Sequence, residues 1–211
     1  MTPIIAMRRG ALTLGIFALV TAGSVAVTRA LTSERITQHQ QTYQLRQLQA
    51  VLPQALANTP TDQVLDSAFN LPNAAALGHR TPVTGWQISR GDHRVTILPV
   101  ITRKGYSGEI GLLLGIDEQQ RISGVRVTYH QETPGLGDKI ERQRSDWITR
   151  FNGLSLDELP PNAWAVKKEG GQFDGFTGAT ITPRAVIEAV HNALEYAANT
   201  PLPGNIEEPI R

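Results

Sequence analysis

From Gly10 to Thr28 the chain carries 19 residues without a charge, apolar on all sides of a helix rather than along one stripe. At about 1.5 Å per residue such a helix spans roughly 28 Å, close to the thickness of a bilayer core. The pattern predicts a membrane-spanning helix over residues 10–28. Arg8 and Arg9 flank its start, so the positive-inside rule puts residues 1–9 in the cytoplasm and the body of the chain in the periplasm, anchored to a bacterial inner membrane. A cleaved leader is the rival reading, because Ser24-Val25-Ala26 has the small-x-small form of a cleavage site. Against it, the apolar run continues past Ala26 and no polar release region follows at once.

Beyond Arg29 the rhythm changes. Thr32 or Ser33 can cap a second helix over residues 34–52, whose Ile36, Tyr43, Leu48, Val51 and Leu52 lie among many glutamines. Pro53 ends it. Residues 29–58 read as a polar stalk and linker, or as a helix packed on the domain that follows. That domain is expected over residues 59–199, and residues 200–211 read as a disordered tail. Asp62 to Phe69 predicts a short helix, and Leu71 to Gly85, with Pro72, Gly78 and Pro82, an irregular stretch.

A period of two then takes over. Trp86–Ser89 and Arg94–Ile101 read as strands, the second with Pro99 as the mark of an edge or a bulge. Gly108–Ile116 is apolar. Arg121–Tyr129 alternates through Ile122, Val125 and Val127 with an offset at Gly124. The short connection between the last two predicts an antiparallel hairpin. A hairpin brings the entry of its first strand and the exit of its second to one end. The loops Lys104–Ile110 and His130–Gly137 should therefore meet, as a pocket on a rigid scaffold or simply as turns.

Later segments return to helical spacing. Ile140–Phe151 predicts a helix through Trp147, Ile148 and Phe151, and Trp164–Val166 a short strand. Val186, Ile187, Val190, Ala193, Leu194 and Ala197 make one apolar stripe from Pro183 to Ala198. The fold class expected is α+β: one transmembrane helix, then a soluble domain with a mainly antiparallel sheet flanked by helices.

Composition narrows the chemistry. The 211 residues carry a net charge of +1, which argues against a nucleic-acid surface. No cysteine is present, so disulfides, iron–sulfur ligation and thiol catalysis within the chain are excluded. The five histidines form no close-spaced pair of the zinc-binding kind, and no metal is expected. Neither G-x-x-x-x-G-K-[S/T] nor G-x-G-x-x-G occurs.

One stretch stands out, Asp174-Gly-Phe-Thr-Gly-Ala-Thr-Ile-Thr-Pro183. Thr182 can serve as N-cap with Pro183 at the first helical position. Free N–H groups at a helix start suit a phosphate, and Gly178 and Ala179 let a large group approach the backbone. Thr177–Thr182 is thus a candidate phosphate-binding turn, with an ordinary helix cap in a glycine-rich loop as the plainer alternative.

Asp174-Gly175-Phe176-Thr177-Gly178-Ala179-Thr180 resembles the D-x-x-[S/T]-G-A-T flavinylation motif, with Thr177 where serine is commoner. Together with Gly105-Tyr106-Ser107-Gly108 and Glu132-Thr133-Pro134-Gly135-Leu136-Gly137 it resembles an FMN-binding domain of the family of the G subunit of the Rnf-type ion-translocating electron transport complex, to which the C subunit of the sodium-pumping NADH:quinone reductase is related. Residues 137–141, 145–149 and 164–168 favour the Rnf-type protein. The similarity covers roughly residues 5–198.

The resemblance implies FMN joined by its phosphate to Thr180. Asp174 and Gly178 would belong to the sequence that a separate flavin transferase reads. Thr177, Ala179, Glu132, Thr133, Pro134, Gly135, Leu136, Tyr106 and Ser107 would lie near the cofactor. It implies an electron-relay subunit of a membrane translocase, partnered by the A, B, C, D and E subunits, with no catalytic acid–base residue of its own. The alternatives from the residues alone are a membrane-anchored phosphate-ligand module without redox chemistry, or a structural stalk.

Overall fold

The computed structural model describes residues 3–203; within them the side chains of residues 3–6, 9, 30–44, 61 and 62 are outside the description. The chain divides into two compact units, Met1–Gln44 and Leu45–Arg211.

The first unit belongs to one long helix, α1 (Pro3–Val51). Its segment Gly10–Arg29 is long and apolar enough to cross a membrane, and none of it is buried by protein. Leu12, Leu14, Phe17, Leu19 and Val25 all point outward. The hydroxyls turn inward instead: Thr21 Oγ1 donates to the Phe17 carbonyl at 2.9 Å and Thr28 Oγ1 to that of Ser24 at 2.8 Å. Polar groups that satisfy themselves on their own helix are what a hydrocarbon surrounding demands. The backbone stays helical through Thr32 and Ser33, so no second helix starts there. Side chains of Ile36 and Tyr43, expected on a stalk face, lie outside the described residues, as does the tail beyond residue 203.

The second unit opens on the last turns of α1, where Leu48 and Val51 are fully buried. Pro53 follows the helix end, as its missing N–H requires. Next come α2 (Thr61–Asp66) and five strands: β1 (Ala68–Asn70), β2 (Thr84–Arg90), β3 (His93–Thr102), β4 (Ile110–Asp117) and β5 (Ile122–Tyr129). They pair in chain order, every pair antiparallel. With α3 (Ile181–Asn199) this is the α+β architecture expected. β1 was not foreseen: Ala68 and Phe69 fall at the end of the helix expected over Asp62–Phe69, which stops at Asp66.

Both faces of the sheet are covered, and parity along the strands sorts the side chains. Leu98, Val100, Leu112 and Leu114 meet Val186, Ile187, Val190 and Leu194 of α3. Val95, Ile97 and Leu113 face the other way, toward Leu48, Val51, Leu56 and Val64. On this second face Gly115 and Gly124 pair across the hairpin. A Cβ on Gly124 would lie 2.9 Å from Val51 Cα, and one on Gly115 2.7 Å from the Val51 carbonyl oxygen. Ser123 Oγ donates to that carbonyl at 2.7 Å, supplying a partner to one of the orphan acceptors of the helix end. Ser123 is also the residue skipped in the register between Gly115↔Gly124 and Ile116↔Ile122, the offset expected beside Gly124.

Pro99 sits in an interior strand, yet the edge expectation holds locally. The ladder between β2 and β3 stops at Trp86↔Ile97, two residues short of it. Its carbonyl meets His79 Nε2 at 3.0 Å. A strand residue turns its N and its carbonyl to the same side, so the absent N–H falls on this open side and takes no bond from the pairing with Leu113 in β4.

Two further expectations need correction. Ile140–Phe151 is not one helix but two short 3-10 segments, Gly137–Ile140 and Asp146–Phe151. Ser145 interrupts them in extended conformation, with its hydroxyl accepting the Trp147 N–H at 3.1 Å. Trp164–Val166 is not a strand; it follows a 3-10 turn at Pro161–Ala163 and makes a single bridge, Val166↔Phe173. In both places buried aromatics dictate the path: Phe151 stacks on Phe173 at 4.6 Å between ring centres and lies 6.5 Å from Trp164.

Candidate functional site

The stretch from Asp174 to Thr180 is held at its start and its middle. Trp147, itself buried, donates its indole N–H to the Asp174 carbonyl at 2.7 Å. Its ring meets Phe176 edge-on at 5.1 Å. Phe176 is buried, and the chain reverses immediately after it, the Ala179 N–H returning to the Phe176 carbonyl at 3.1 Å. Gly178, third in this turn, has φ +82°, the conformation a type II turn needs and glycine accepts without strain. Thr177 and Gly178 are therefore pushed to an exposed tip.

Thr180 follows, exposed, in the half-in position before α3. Its hydroxyl makes no capping hydrogen bond. This corrects the expectation for Thr182, which is not the N-cap. Thr182 is fully buried in the first turn, and its hydroxyl donates to Glu132 Oε2. Pro183 still falls within that turn, where an N–H has no partner in the helix. The backbone N–H groups of Ile181 and Thr182 stay available there, with the positive end of the helix dipole behind them.

A second turn faces the first. In Thr133-Pro134-Gly135-Leu136 the Leu136 N–H reaches the Thr133 carbonyl at 3.1 Å, and Gly135 has φ +79°. Proline second and glycine third are again the type II preference. The two tips nearly touch: a Cβ on Gly178 would stand 3.4 Å from Leu136 Cδ2.

The third wall comes from the loop before β4. Glu132 Oε1 accepts the Ser107 N–H at 3.0 Å, so the two loops at the open end of the hairpin do meet. Gly105 and Gly137 make room for that carboxylate. A Cβ at Gly105 would come within 2.9 Å of Glu132 Oε1, and one at Gly137 within 3.0 Å of Oε2.

Two clefts flank Thr180. One, of about 400 Å³, is lined by Tyr106, Glu132, Thr133, Leu136, Gly137 and Gly178–Thr182. Tyr106, Leu136 and Ile181 give it an exposed apolar rim. The other, of about 380 Å³, is lined by Thr177, Gly178 and Thr180 together with Lys168, Arg184 and Phe176. Each has the size of a small-molecule site. The first offers apolar surface for a planar ring and the second two cations. A phosphate at Thr180 would stand between them at a helix start, so the residues present fit a flavin mononucleotide.

Two ion pairs lie on or beside the second cleft, whose lining includes Arg184. Lys167 Nζ contacts Asp174 Oδ1 at 2.6 Å. That hydrogen bond holds the Asp174 carboxyl below the usual carboxylate range, helped by the charges of Lys167 and Arg150. Arg184 pairs with Glu169.

Of the residues singled out from sequence, Tyr106, Glu132, Thr133, Leu136, Gly178, Ala179 and Thr180 line the first cleft, and Thr177 the second. Ser107, Pro134, Gly135 and Asp174 line neither. Ser107 gives its backbone N–H, Pro134 and Gly135 shape a turn, and Asp174 makes the outer ion pair. Sequence reasoning missed Trp147, Lys168, Arg184 and the role of Thr182. The available signal for Thr182 was a hydroxyl at the head of an otherwise apolar stripe.

The family described as FMN-binding domain matches residues 105–195, and the RnfG N-terminal region matches residues 1–51. The G subunit of the ion-translocating oxidoreductase complex of Vibrio vulnificus (strain YJ016) is 43% identical over 192 residues, covering 90% of this chain and 89% of that one. The protein of the same name from Vibrio cholerae (strain ATCC 39541) is 45% identical over 192 residues, 90% of each chain. That of Pseudomonas aeruginosa (strain UCBPP-PA14) is 44% identical over 192 residues, 90% of this chain and 88% of its own. Among solved structures, the C subunit of the Na(+)-translocating NADH-quinone reductase from Parabacteroides distasonis superposes with a TM-score of 0.56 at 18% identity, covering 79% of this chain and 95% of that one. At that identity the likeness is one of fold.

Proposed function

This chain belongs to the family of the G subunit of ion-translocating oxidoreductase complexes, and on that premise we propose that it is the electron-transfer subunit of such a complex, working through an FMN joined by its phosphate to Thr180. The observation that carries the attachment point is the exposed Thr180 hydroxyl, without a capping bond, on the ridge shared by the apolar and the cationic cleft. When bound, FMN supplies reversible electron uptake and release; the protein's part is to bind, orient and tune it.

Thr180 Oγ1 would bear the phosphorus. Lys168, Arg184 and the N–H groups at the head of α3 would balance the phosphate charge. Tyr106, Leu136, Ala179 and Ile181 would cover the ring, with Thr133 beside it. Thr177 and Gly178 would set the approach to Thr180, and Asp174, exposed and ion-paired, would be read from outside by a flavin transferase. Threonine is a weak nucleophile at neutral pH, so activation is assigned to that enzyme, which would take the Oγ1 proton and move the FMN phosphoryl group from a flavin dinucleotide, whose pyrophosphate P–O bond breaks to release a nucleoside monophosphate. A tether keeps the cofactor at high local concentration beside its redox partners, the other subunits of the complex. The helix of residues 10–29 would anchor the chain in the inner membrane, with the flavin domain on the periplasmic side.

The test is to produce the full chain together with a flavin transferase, weigh it intact, and sequence the coloured peptide after digestion. One FMN per chain, on the peptide that contains Thr180, is the expected result. Flavin on another residue, or flavin that leaves on acid precipitation, overturns the proposal.

A further inference from the structure

We infer that Glu132 is a positioning residue: its buried carboxylate fastens the Ser107 loop to the first turn of α3 and so sets where Thr180 stands, rather than serving as a flavin ligand. Only 4% of Glu132 is exposed, although it borders the apolar cleft. Both oxygens are engaged, Oε1 by the Ser107 N–H at 3.0 Å and Oε2 by the Thr182 hydroxyl. Thr182 lies two residues from Thr180 and has no exposed surface. Each oxygen already holds one donor, and a carboxylate this far shut from solvent presents almost no surface to a ligand.

Glu132 is itself fixed from behind. Its backbone N–H donates to His130 Nδ1 at 3.0 Å, and His130 Nε2 lies 2.7 Å from Glu141 Oε1. Because Nδ1 accepts, the proton of the neutral ring sits on Nε2 and points to Glu141. The chain Glu141–His130–Glu132 thus ends on two donors from different elements. Gly105 and Gly137 border the same carboxylate, at distances a Cβ could not keep without displacing it. Three segments far apart in sequence are brought into register at one side chain. The Thr180 hydroxyl must meet phosphorus in a narrow range of positions, and displacements near 1 Å are costly in such reactions.

The role at Thr180 rests on the functional reading above; the latch itself does not. The test therefore has two arms, on the full chain. In the first, without flavin, hydrogen exchange is measured at the Ser107 amide. Protection is expected in the wild type and in Glu132→Gln, whose amide oxygen can still accept, and its loss in Glu132→Leu. Free exchange of Ser107 in the wild type, or equal protection in Glu132→Leu, overturns the latch.

In the second arm, the rate of flavin attachment is followed by intact mass at saturating transferase. Thr182→Val is expected to slow it by about 10-fold or more, while Thr182→Ser, which keeps the hydroxyl, restores it to within about threefold of the wild type. Equal rates for Val and Ser overturn the positioning role, as does slowing by Ser to the same extent as Val. If the wild type takes up no flavin on Thr180, the functional reading falls and the positioning role with it, while the exchange result still decides the latch.

Discussion

The indole N–H of Trp147 and the carbonyl of Asp174, 2.7 Å apart, tie a 3-10 segment to the first residue of the exposed loop that ends at Thr180. The bond ties a side chain buried against Phe151 and Phe176 to a stretch in which Phe176 is buried and Asp174, Gly175, Thr177, Gly178 and Thr180 are exposed. Trp147→Phe removes this anchor and thins the packing around it. The expected cost is about 2–4 kcal/mol, roughly 1 from the hydrogen bond and the rest from the space left behind. Urea unfolding of the flavin-free protein measures it, and flavin attachment should slow in parallel.

Thr180 and Thr177 carry the same hydroxyl three residues apart, but only Thr180 stands on the ridge between both clefts. Thr180→Val should abolish the flavin fluorescence that survives a denaturing gel, and Thr180→Ser should retain it. Thr177→Val should leave the band in place at reduced intensity.

Two glycines should differ in how they fail. At Gly178 an added Cβ has room, its nearest neighbour being Leu136 Cδ2 at 3.4 Å, but φ is +82°. Gly178→Ala should cost about 1 kcal/mol from the backbone alone. At Gly105 the new atom would lie 2.4 Å from the Gly108 carbonyl oxygen and 2.9 Å from Glu132. Gly105→Ala should cost about 1–3 kcal/mol by overpacking and disturb the Ser107 contact as well. Thermal unfolding compares the two.

Asp174 titrates low because Lys167 donates to it. A carboxyl whose pKa is depressed in the folded state adds stability above its unfolded value, and loses that stability as pH falls through the folded value. Lys167→Met should therefore raise the Asp174 pKa toward the ordinary carboxylate range, read by NMR titration, and flatten the acid limb of the stability curve. High salt should mimic part of the change, since both side chains are largely exposed.

The end of α1 belongs to the core of the second unit. A chain beginning at Gln38 keeps Leu48, Val51 and Leu52 and should fold in water without the apolar segment. A chain beginning after Pro53 loses all three, at about 1.5–3 kcal/mol for each fully buried side chain, and bares Gly115 and Gly124. Circular dichroism and denaturant midpoints of the two chains check this.

Period and punctuation made much of this fold legible. The hairpin, its offset beside Gly124, the stripe on α3 and the unburied apolar helix all follow from patterns that repeat within one element. The convergence of the two loops followed from hairpin geometry before any side chain was placed. What sequence did not show is set by contacts between distant segments. Ile140–Phe151 has helical spacing, yet Ser145, the edge-on contact of Trp147 with Phe176 and the stacking of Phe151 on Phe173 break it in two. Thr182 looks like a cap because threonine before proline at a helix start usually is one; a carboxylate 50 residues away in sequence claims its hydroxyl instead. Trp147 gave an apolar signal alone, since nothing local marks where an indole N–H will find its acceptor.

The bald patch made by Gly115 and Gly124 works as a gauge for strand alignment. Only when the skipped residue is Ser123 do two hydrogens face the helix end while a hydroxyl reaches the Val51 carbonyl. A hairpin that closed one position out would present a methylene to Val51 and shut the helix out. Seating of the helix therefore vouches for the strand ends nearest it, while a second skipped residue, Thr128, sets the alignment at the end where the cleft is built.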